Sequence, residues 1–213
     1  MKTLTKILLV AVMMTSSSVF AQSEAYQSAM KKGLELLYSA KTSDSFVNSA
    51  NHFERIANAE SKNWMPLYYS AYSNLVAGLV AGEPGIKDQY FDKALAQIEK
   101  TEAISPDNSE VFAIKGYAQF MKMSIDPQNR FPLMAESNAS LGKAKALDPA
   151  NPRPYLIQGQ NTFYTPEAFG GGKASGKALL EEAVKKYDVY KAATDLSPGW
   201  GSDRAKMLLA QCQ

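Results

Sequence analysis

Three segments of this chain have nearly the same form, in which one helix-like stretch ends at a proline and another begins a few residues later. They run over residues 103–112, 146–155 and 195–200, and their prolines are Pro106, Pro149 and Pro198. Because proline lacks an N–H and cannot continue a helix, each segment predicts a boundary between two helices. A row of helical hairpins follows, and such a row offers a binding surface rather than a convergent set of reactive groups.

Helical periodicity dominates the rest of the sequence, where apolar residues recur at spacings of three and four. No alternating run of β-branched residues is long enough to form a sheet, so the fold class is all-α. We predict nine helices, over 25–39, from 44 or 45 to the high fifties, 64–80, 89–104, 109–123, 132–147, 152–164, 173–193 and 202–211.

The spacing of the prolines indicates repetition. Pro106 and Pro149 are 43 residues apart, and Pro149 and Pro198 are 49 apart. A tetratricopeptide unit takes roughly 34 residues. The units here are longer, and the extra residues lie between the first and second helix of each pair, at 82–88, 124–130 and 165–175.

The residues that follow each proline resemble the tetratricopeptide repeat (TPR) family. A large residue and then a small one come after Pro106, namely Phe112 and Gly116, and Tyr155 and Gly159 follow Pro149 in the same way. The second helices supply a small-large-small pattern that holds in the middle two units, at Ala94, Ile98 and Thr101 and at Ser137, Leu141 and Ala144. It weakens in the end units, at Ser49, Phe53 and Ile56 and at Lys186, Tyr190 and Ala193, as terminal repeats that cap a stack would.

The resemblance implies a right-handed α-solenoid of antiparallel helix pairs, with about four pairs and a C-terminal capping helix. The alternative is a nonrepetitive helical bundle. The segment Tyr164–Lys173 also resembles an inter-helix segment of periplasmic TPR proteins, including those associated with TRAP-type solute transporters. Between the helices predicted over 152–164 and 173–193 we expect a flexible loop that lets Phe169 tuck under the array.

The first residues have the features of a secretory signal peptide. Lys2 and Lys6 precede an apolar run over 7–14, and the stretch ends in Val19-Phe20-Ala21. We predict a signal peptide over 1–21 cut after Ala21, a TPR-like domain over 22–213, and a periplasmic or secreted location without an integral membrane segment. A buried N-terminal helix is the alternative. Removal of two lysines leaves 21 basic and 21 acidic residues, so no excess charge favours nucleic acid.

Catalytic and metal-binding patterns are weak. The chain has one histidine, His52, and one cysteine, Cys212. The run from Gly171 to Lys177 has the spacing of a phosphate-binding loop, but Ala178 replaces the expected Ser or Thr and no strand precedes it. We therefore expect no enzyme, no cofactor and no metal site. Two carboxylates converging from distant repeats, as in a hydrolase, stay open as an alternative.

The candidate site is a groove along the first helices, which line the concave side of such an array. Tyrosine and phenylalanine on rigid helices suit a protein or peptide segment, so we predict a non-enzymatic scaffold that binds one. The alternative is a solute-binding accessory of a TRAP-type transporter that carries a small apolar ligand. At each position packing between helices is an equal alternative. The predicted groove residues are Met65, Tyr68, Tyr72, Tyr117, Phe120, Arg153, Gln160 and Phe163.

Overall fold

Helices follow one another along almost the whole of the chain that the computed structural model describes, which is residues 24–212. The predicted signal peptide lies outside these residues. A single turn of 3-10 helix, Glu167–Phe169, lies between the eighth and ninth helices. The α-helices are α1 (24–39), α2 (Ser43–Ala59), α3 (Trp64–Val80), α4 (Pro84–Ile104), α5 (Ser109–Ile125), α6 (Pro127–Arg130), α7 (Pro132–Leu147), α8 (Arg153–Tyr164), α9 (Lys173–Val189) and α10 (Ser202–Ala210).

Local chemistry explains several of the helix starts. Thr42 and Ser45 form a reciprocal capping box at the start of α2, and the side chains of Asn63 and Asn108 cap α3 and α5. Helix α4 begins at Pro84, five residues before the predicted start. Proline fits the first turn of a helix because the N–H that it lacks has no intrahelical partner there.

The helices pack as antiparallel pairs, α1 with α2, α3 with α4, α5 with α7 and α8 with α9, and α10 packs on the last pair. Helix α4 also contacts α5, and α7 contacts α8, so each pair continues into the next. The predicted α-solenoid of four pairs with a C-terminal capping helix is confirmed. Among residues 24–212, no helix has both the length and the apolar character needed to cross a bilayer.

Each pair is held by a glycine of the first helix that lies directly beneath a large side chain of the second. A Cβ placed on Gly116 would lie 2.7 Å from Cγ of Leu141, and one on Gly159 would lie 2.9 Å from Cγ of Leu180. Absence of a side chain at these positions lets the helices approach closely enough to bury the large residue. The same contact joins Gly33 to Phe53 and Gly78 to Phe91.

In the last pair the predicted register of the second helix is wrong. The buried residues of α9 are Gly176, Leu180 and Ala183, whereas Ala193 is exposed. Helix α9 ends at Val189, four residues earlier than predicted, because Tyr190 adopts an extended backbone and the chain turns back across the array.

Residues 190–201, which we call the C-terminal strap, have no helix and lie across the first helices α3 and α8. The hydroxyl of Tyr69 donates a hydrogen bond of 2.8 Å to the carbonyl of Leu196. A guanidinium N–H of Arg153 donates to the carbonyl of Pro198, which is itself buried. The strap ends at Gly201, whose φ of 115° and close contact with the Tyr187 hydroxyl exclude any side chain.

Two glycines on paired helices test the importance of the close approach. We expect Gly116→Ala to destabilise the protein by about 1–3 kcal/mol, because the new methyl group would displace Leu141. Gly142→Ala on α7 meets no atom within 4 Å, and we expect it to stabilise the protein by about 0.5–1 kcal/mol. Urea unfolding of both variants measures the difference, and equal effects would contradict the packing argument.

Candidate functional site

A cavity of about 1080 Å³ opens between the first helices of the last three pairs. Small-molecule sites usually have volumes of about 300–1,000 Å³, so this cavity has room for a large ligand. Helices α3, α5 and α8 form one side, the residues around α6 and the start of α7 form a second, and the 3-10 turn, the end of the strap and α10 complete it.

Apolar and aromatic side chains form most of the cavity wall. The rings of Tyr72 and Trp200 stack at a centroid distance of 4.6 Å and an interplanar angle of 15°, which joins α3 to the strap. Both rings border the cavity and give it a rigid, flat section of wall. The other apolar or aromatic wall residues are Val76, Leu79, Tyr117, Phe120, Met121, Met123, Pro127, Phe131, Met134, Leu156, Ile157, Tyr164, Pro166 and Phe169.

A small group of polar side chains lies together at one end of the wall. Nε of Arg204 donates a hydrogen bond of 2.7 Å to Oε1 of Gln160, and a terminal N–H of Arg204 donates one of 2.9 Å to the hydroxyl of Tyr164. Burial raises the pKa of Tyr117, and a hydrogen bond with Gln160 and the charge of Arg204 oppose this shift. Tyr117 is therefore a neutral phenol at neutral pH.

The rim of the cavity carries exposed aromatic rings. Phe131 is 57% exposed, Tyr164 is 54% exposed and Phe169 is 72% exposed. The expectation that Phe169 tucks under the array is wrong. The loop after α8 closes on itself instead, since the N–H of Gly172 donates to the carbonyl of Thr162 at 2.9 Å, and this leaves the Phe169 ring at the mouth.

Beside the cavity, a buried ion pair joins two neighbouring helix pairs. The side chain of Arg153 is fully buried, and one N–H donates a hydrogen bond of 2.8 Å to Oε1 of Glu110. Its guanidinium also lies over the rings of Tyr190 and Trp200, at 5.0 and 5.4 Å from their centroids. Arg153 therefore joins α5, α8 and the strap.

The ion pair extends through two aromatic side chains. The hydroxyl of Tyr68 donates to Oε2 of Glu110 at 3.3 Å and accepts a hydrogen bond of 2.9 Å from Nε1 of Trp200. Burial raises the pKa of the Glu110 carboxyl, and the charge of Arg153 and the hydrogen bond from Tyr68 oppose that rise. The orientation of Trp200 in the cavity wall thus depends on buried polar groups behind it.

The eight groove residues predicted from the sequence fall into three places. Tyr72, Tyr117, Phe120 and Gln160 line the cavity together. Tyr68 and Arg153 lie beneath the strap, one layer behind the wall. The buried apolar side chains form two clusters, a larger one with residues from α1 to α8 and a smaller one between α8, α9 and α10. Met65 packs against the larger cluster, and Phe163 is buried in the smaller one.

Several wall residues were absent from the prediction. Trp200 is the last residue of the third proline segment, and its aromatic character was the only sequence signal for it. Arg204 lies two residues into the last helix and had no distinguishing signal. Met121, Met123 and Met134 come from the end of α5 and the start of α7, where the predicted groove did not extend.

The residues considered for other chemistry lie elsewhere. Nε2 of His52 is 2.9 Å from the carbonyl oxygen of Ala29, so this histidine joins α2 to α1 and is not part of the cavity wall. Gly172, within the phosphate-loop spacing, is the N-cap of α9, and the element before that loop is the helix α8 and not a strand.

Comparison with solved structures finds two informative similarities. The HusA haemophore from Porphyromonas gingivalis is 32% identical, with a TM-score of 0.77, and the match covers 88% of this chain and 92% of that one. A thermophilic TPR protein from Thermus thermophilus is 16% identical, with a TM-score of 0.64 over 88% and 80% of the two chains, which confirms the TPR-like fold. No model of a known protein family matches, and no curated protein matches either.

The buried ion pair generates a prediction about the strap. Arg153→Met removes the charge that pairs with Glu110, so we expect a loss of about 3–5 kcal/mol in the free energy of unfolding. We also expect faster amide hydrogen exchange over residues 192–201, because the bond to the Pro198 carbonyl is lost.

A matched control is Lys115→Met, which removes one cation from a partly exposed pair with Glu102. Pairs of this kind contribute about 0–1 kcal/mol, so the control has a small effect and leaves exchange in the strap unchanged. If Arg153→Met behaved like Lys115→Met, the role of the ion pair in holding the strap would be wrong.

Proposed function

The chain belongs to the family of the HusA haemophore, and we propose that it is a non-enzymatic carrier whose cavity binds a tetrapyrrole such as haem. The observation that carries the proposal is the 32% identity to a haemophore over 92% of its length. The cavity supports it independently, because its walls are apolar and aromatic and its volume suits a large ligand.

A tetrapyrrole is a broad, flat ring with apolar faces, and the cavity wall offers matching surfaces. The stacked pair of Tyr72 and Trp200 presents a flat aromatic face, and Phe120 adds a further ring. Three methionines give the wall a polarisable, adaptable part that packs well against rings. Burial of both ring faces would provide most of the binding free energy.

Binding through the ring faces does not require a strong bond to iron. The one histidine is engaged with α1, and burial keeps the pKa values of Tyr72 and Tyr117 above their ordinary value, so neither is a phenolate at neutral pH. The thioethers of Met121, Met123 and Met134 are among the wall groups that could approach the iron of a bound haem.

The peptide scaffold predicted from the sequence would use the same concave surface. The strap already covers that surface beside α3 and α8, through Leu196, Pro198 and Trp200. The part left open is a cavity rather than a continuous trough, which favours a small ligand over an extended peptide. A carrier of a small apolar ligand was the second hypothesis from the sequence, and the tetrapyrrole proposal makes it more specific.

We also propose that the protein acts outside the cytoplasm. The predicted signal peptide over 1–21 would direct export and leave residues 22–213 as the binding domain. In that location the carrier would bind a tetrapyrrole that is already free in the periplasm or the medium, and it would not change the ligand chemically.

A titration with haem tests the proposal directly. We expect a shift of the haem absorption band and quenching of tryptophan fluorescence, with saturation at a fixed stoichiometry. Tyr72→Ala should weaken binding by roughly tenfold, since it removes an aromatic face worth about 1–2 kcal/mol. Tyr90→Ala on α4 removes a tyrosine outside the cavity wall and serves as the control. No saturable change with the wild-type protein would reject the function.

The metal dependence of binding gives a further prediction. If the ring faces dominate recognition, metal-free protoporphyrin IX should bind within about tenfold of haem, a difference of about 1.4 kcal/mol, because the two molecules present the same ring faces. Fluorescence quenching measures both ligands on the same scale. An affinity for haem greater by several powers of ten would show that bonding to iron dominates.

A further inference from the structure

Arg204 is the one charged residue among the side chains that the described structure places on the cavity wall. It lies in the first turn of α10 and is half-buried. The buried Gln160 is on one side of its guanidinium and the half-exposed Tyr164 is on the other. The cation therefore lies where the apolar interior gives way to the rim.

The hydrogen bonds of Arg204 leave most of its donors unused. An arginine has five N–H groups, and here one is directed to Gln160 and one to Tyr164. Both acceptors are neutral, and no ion pair of Arg204 with a carboxylate occurs within residues 24–212. The two bonds fix the plane of the guanidinium, so its remaining N–H donors are already oriented for an anionic group of a ligand.

A positive charge at the edge of an apolar cavity is costly unless a counter-charge comes near it. The fully buried Arg153 is paired with the carboxylate of Glu110. Arg204 lacks such a partner in the described protein, although it faces a space large enough for a ligand. A carboxylate on the ligand would complete a charge-assisted, bidentate hydrogen bond.

We propose that Arg204 is the anion subsite of the cavity, and that it selects flat aromatic ligands carrying a carboxylate at one edge. This inference rests on the proposed function and specifies its ligand class as acidic tetrapyrroles. The ring would occupy the apolar interior beside Tyr72 and Trp200, and its acidic edge would lie at the rim against Arg204.

The test compares deuteroporphyrin IX with its dimethyl ester, which has the same ring and no carboxylates. In wild-type protein we expect the diacid to bind about 10- to 100-fold more tightly, as measured by fluorescence quenching in a fixed low fraction of co-solvent. Raising the salt concentration from about 0.05 M to about 0.5 M should reduce the ratio of the two affinities, because salt ions screen the attraction between the half-exposed Arg204 and the ligand carboxylate.

Variants then assign the preference to one side chain. Arg204→Gln should weaken binding of the diacid at least tenfold, to the level of the ester, and leave binding of the ester within about threefold. Arg204→Lys keeps the charge without the planar fork and should retain part of the preference. Lys206→Gln on the same helix removes a cation outside the cavity wall and should change neither affinity.

The outcomes separate the two proposals. If the diacid and the ester bind wild-type protein equally, or if Arg204→Gln keeps the full preference, the anion subsite is wrong while the tetrapyrrole carrier stands. If neither porphyrin binds wild-type protein, the proposed function fails and the subsite fails with it. Circular dichroism of each variant shows whether it is folded, and the comparison of the two ligands on wild-type protein needs no variant.

Discussion

The buried guanidinium of Arg153 is the constraint on which the candidate site depends. A charge with no solvent access requires paired partners, and here they come from Glu110 of the neighbouring helix pair and from the Pro198 carbonyl of the strap. If the strap left, the guanidinium would lose its bond to the Pro198 carbonyl and would keep only Glu110 as a partner. Since the strap positions Trp200 and leads into α10, the same constraint sets one wall of the cavity.

This arrangement changes what a helical array of this kind can bind. An open concave surface suits an extended peptide, but here the chain's own strap occupies part of it through Leu196 and Pro198. The remaining space is bounded on several sides and lined by rings, which suits one large, flat molecule. The first helices of the array therefore form the wall of a cavity rather than a continuous open groove.

The sequence revealed the parts of the fold that depend on local signals. Proline positions and small residues such as Gly116 and Gly159 indicated the helix pairs, because helix ends and close approach each require particular residue types. The strap was missed because its conformation depends on Arg153, which lies 45 positions before its partner Pro198 in the chain. Arg204 was missed for a similar reason, since only the fold brings it to Gln160 and Tyr164.

The lengthened repeats explain why a cavity exists at all. Roughly 34 residues suffice for a simple helix pair, and part of the additional length of the third and fourth pairs lies between their first and second helices. Those segments provide Pro127 and Gln128 on one side of the cavity, and Thr165, Pro166 and Phe169 on another. A unit of minimal length would leave these walls open. The repeat spacings of 43 and 49 residues thus correspond in part to segments that form walls of the cavity, and the exposed rings at its rim lie on these segments or beside them.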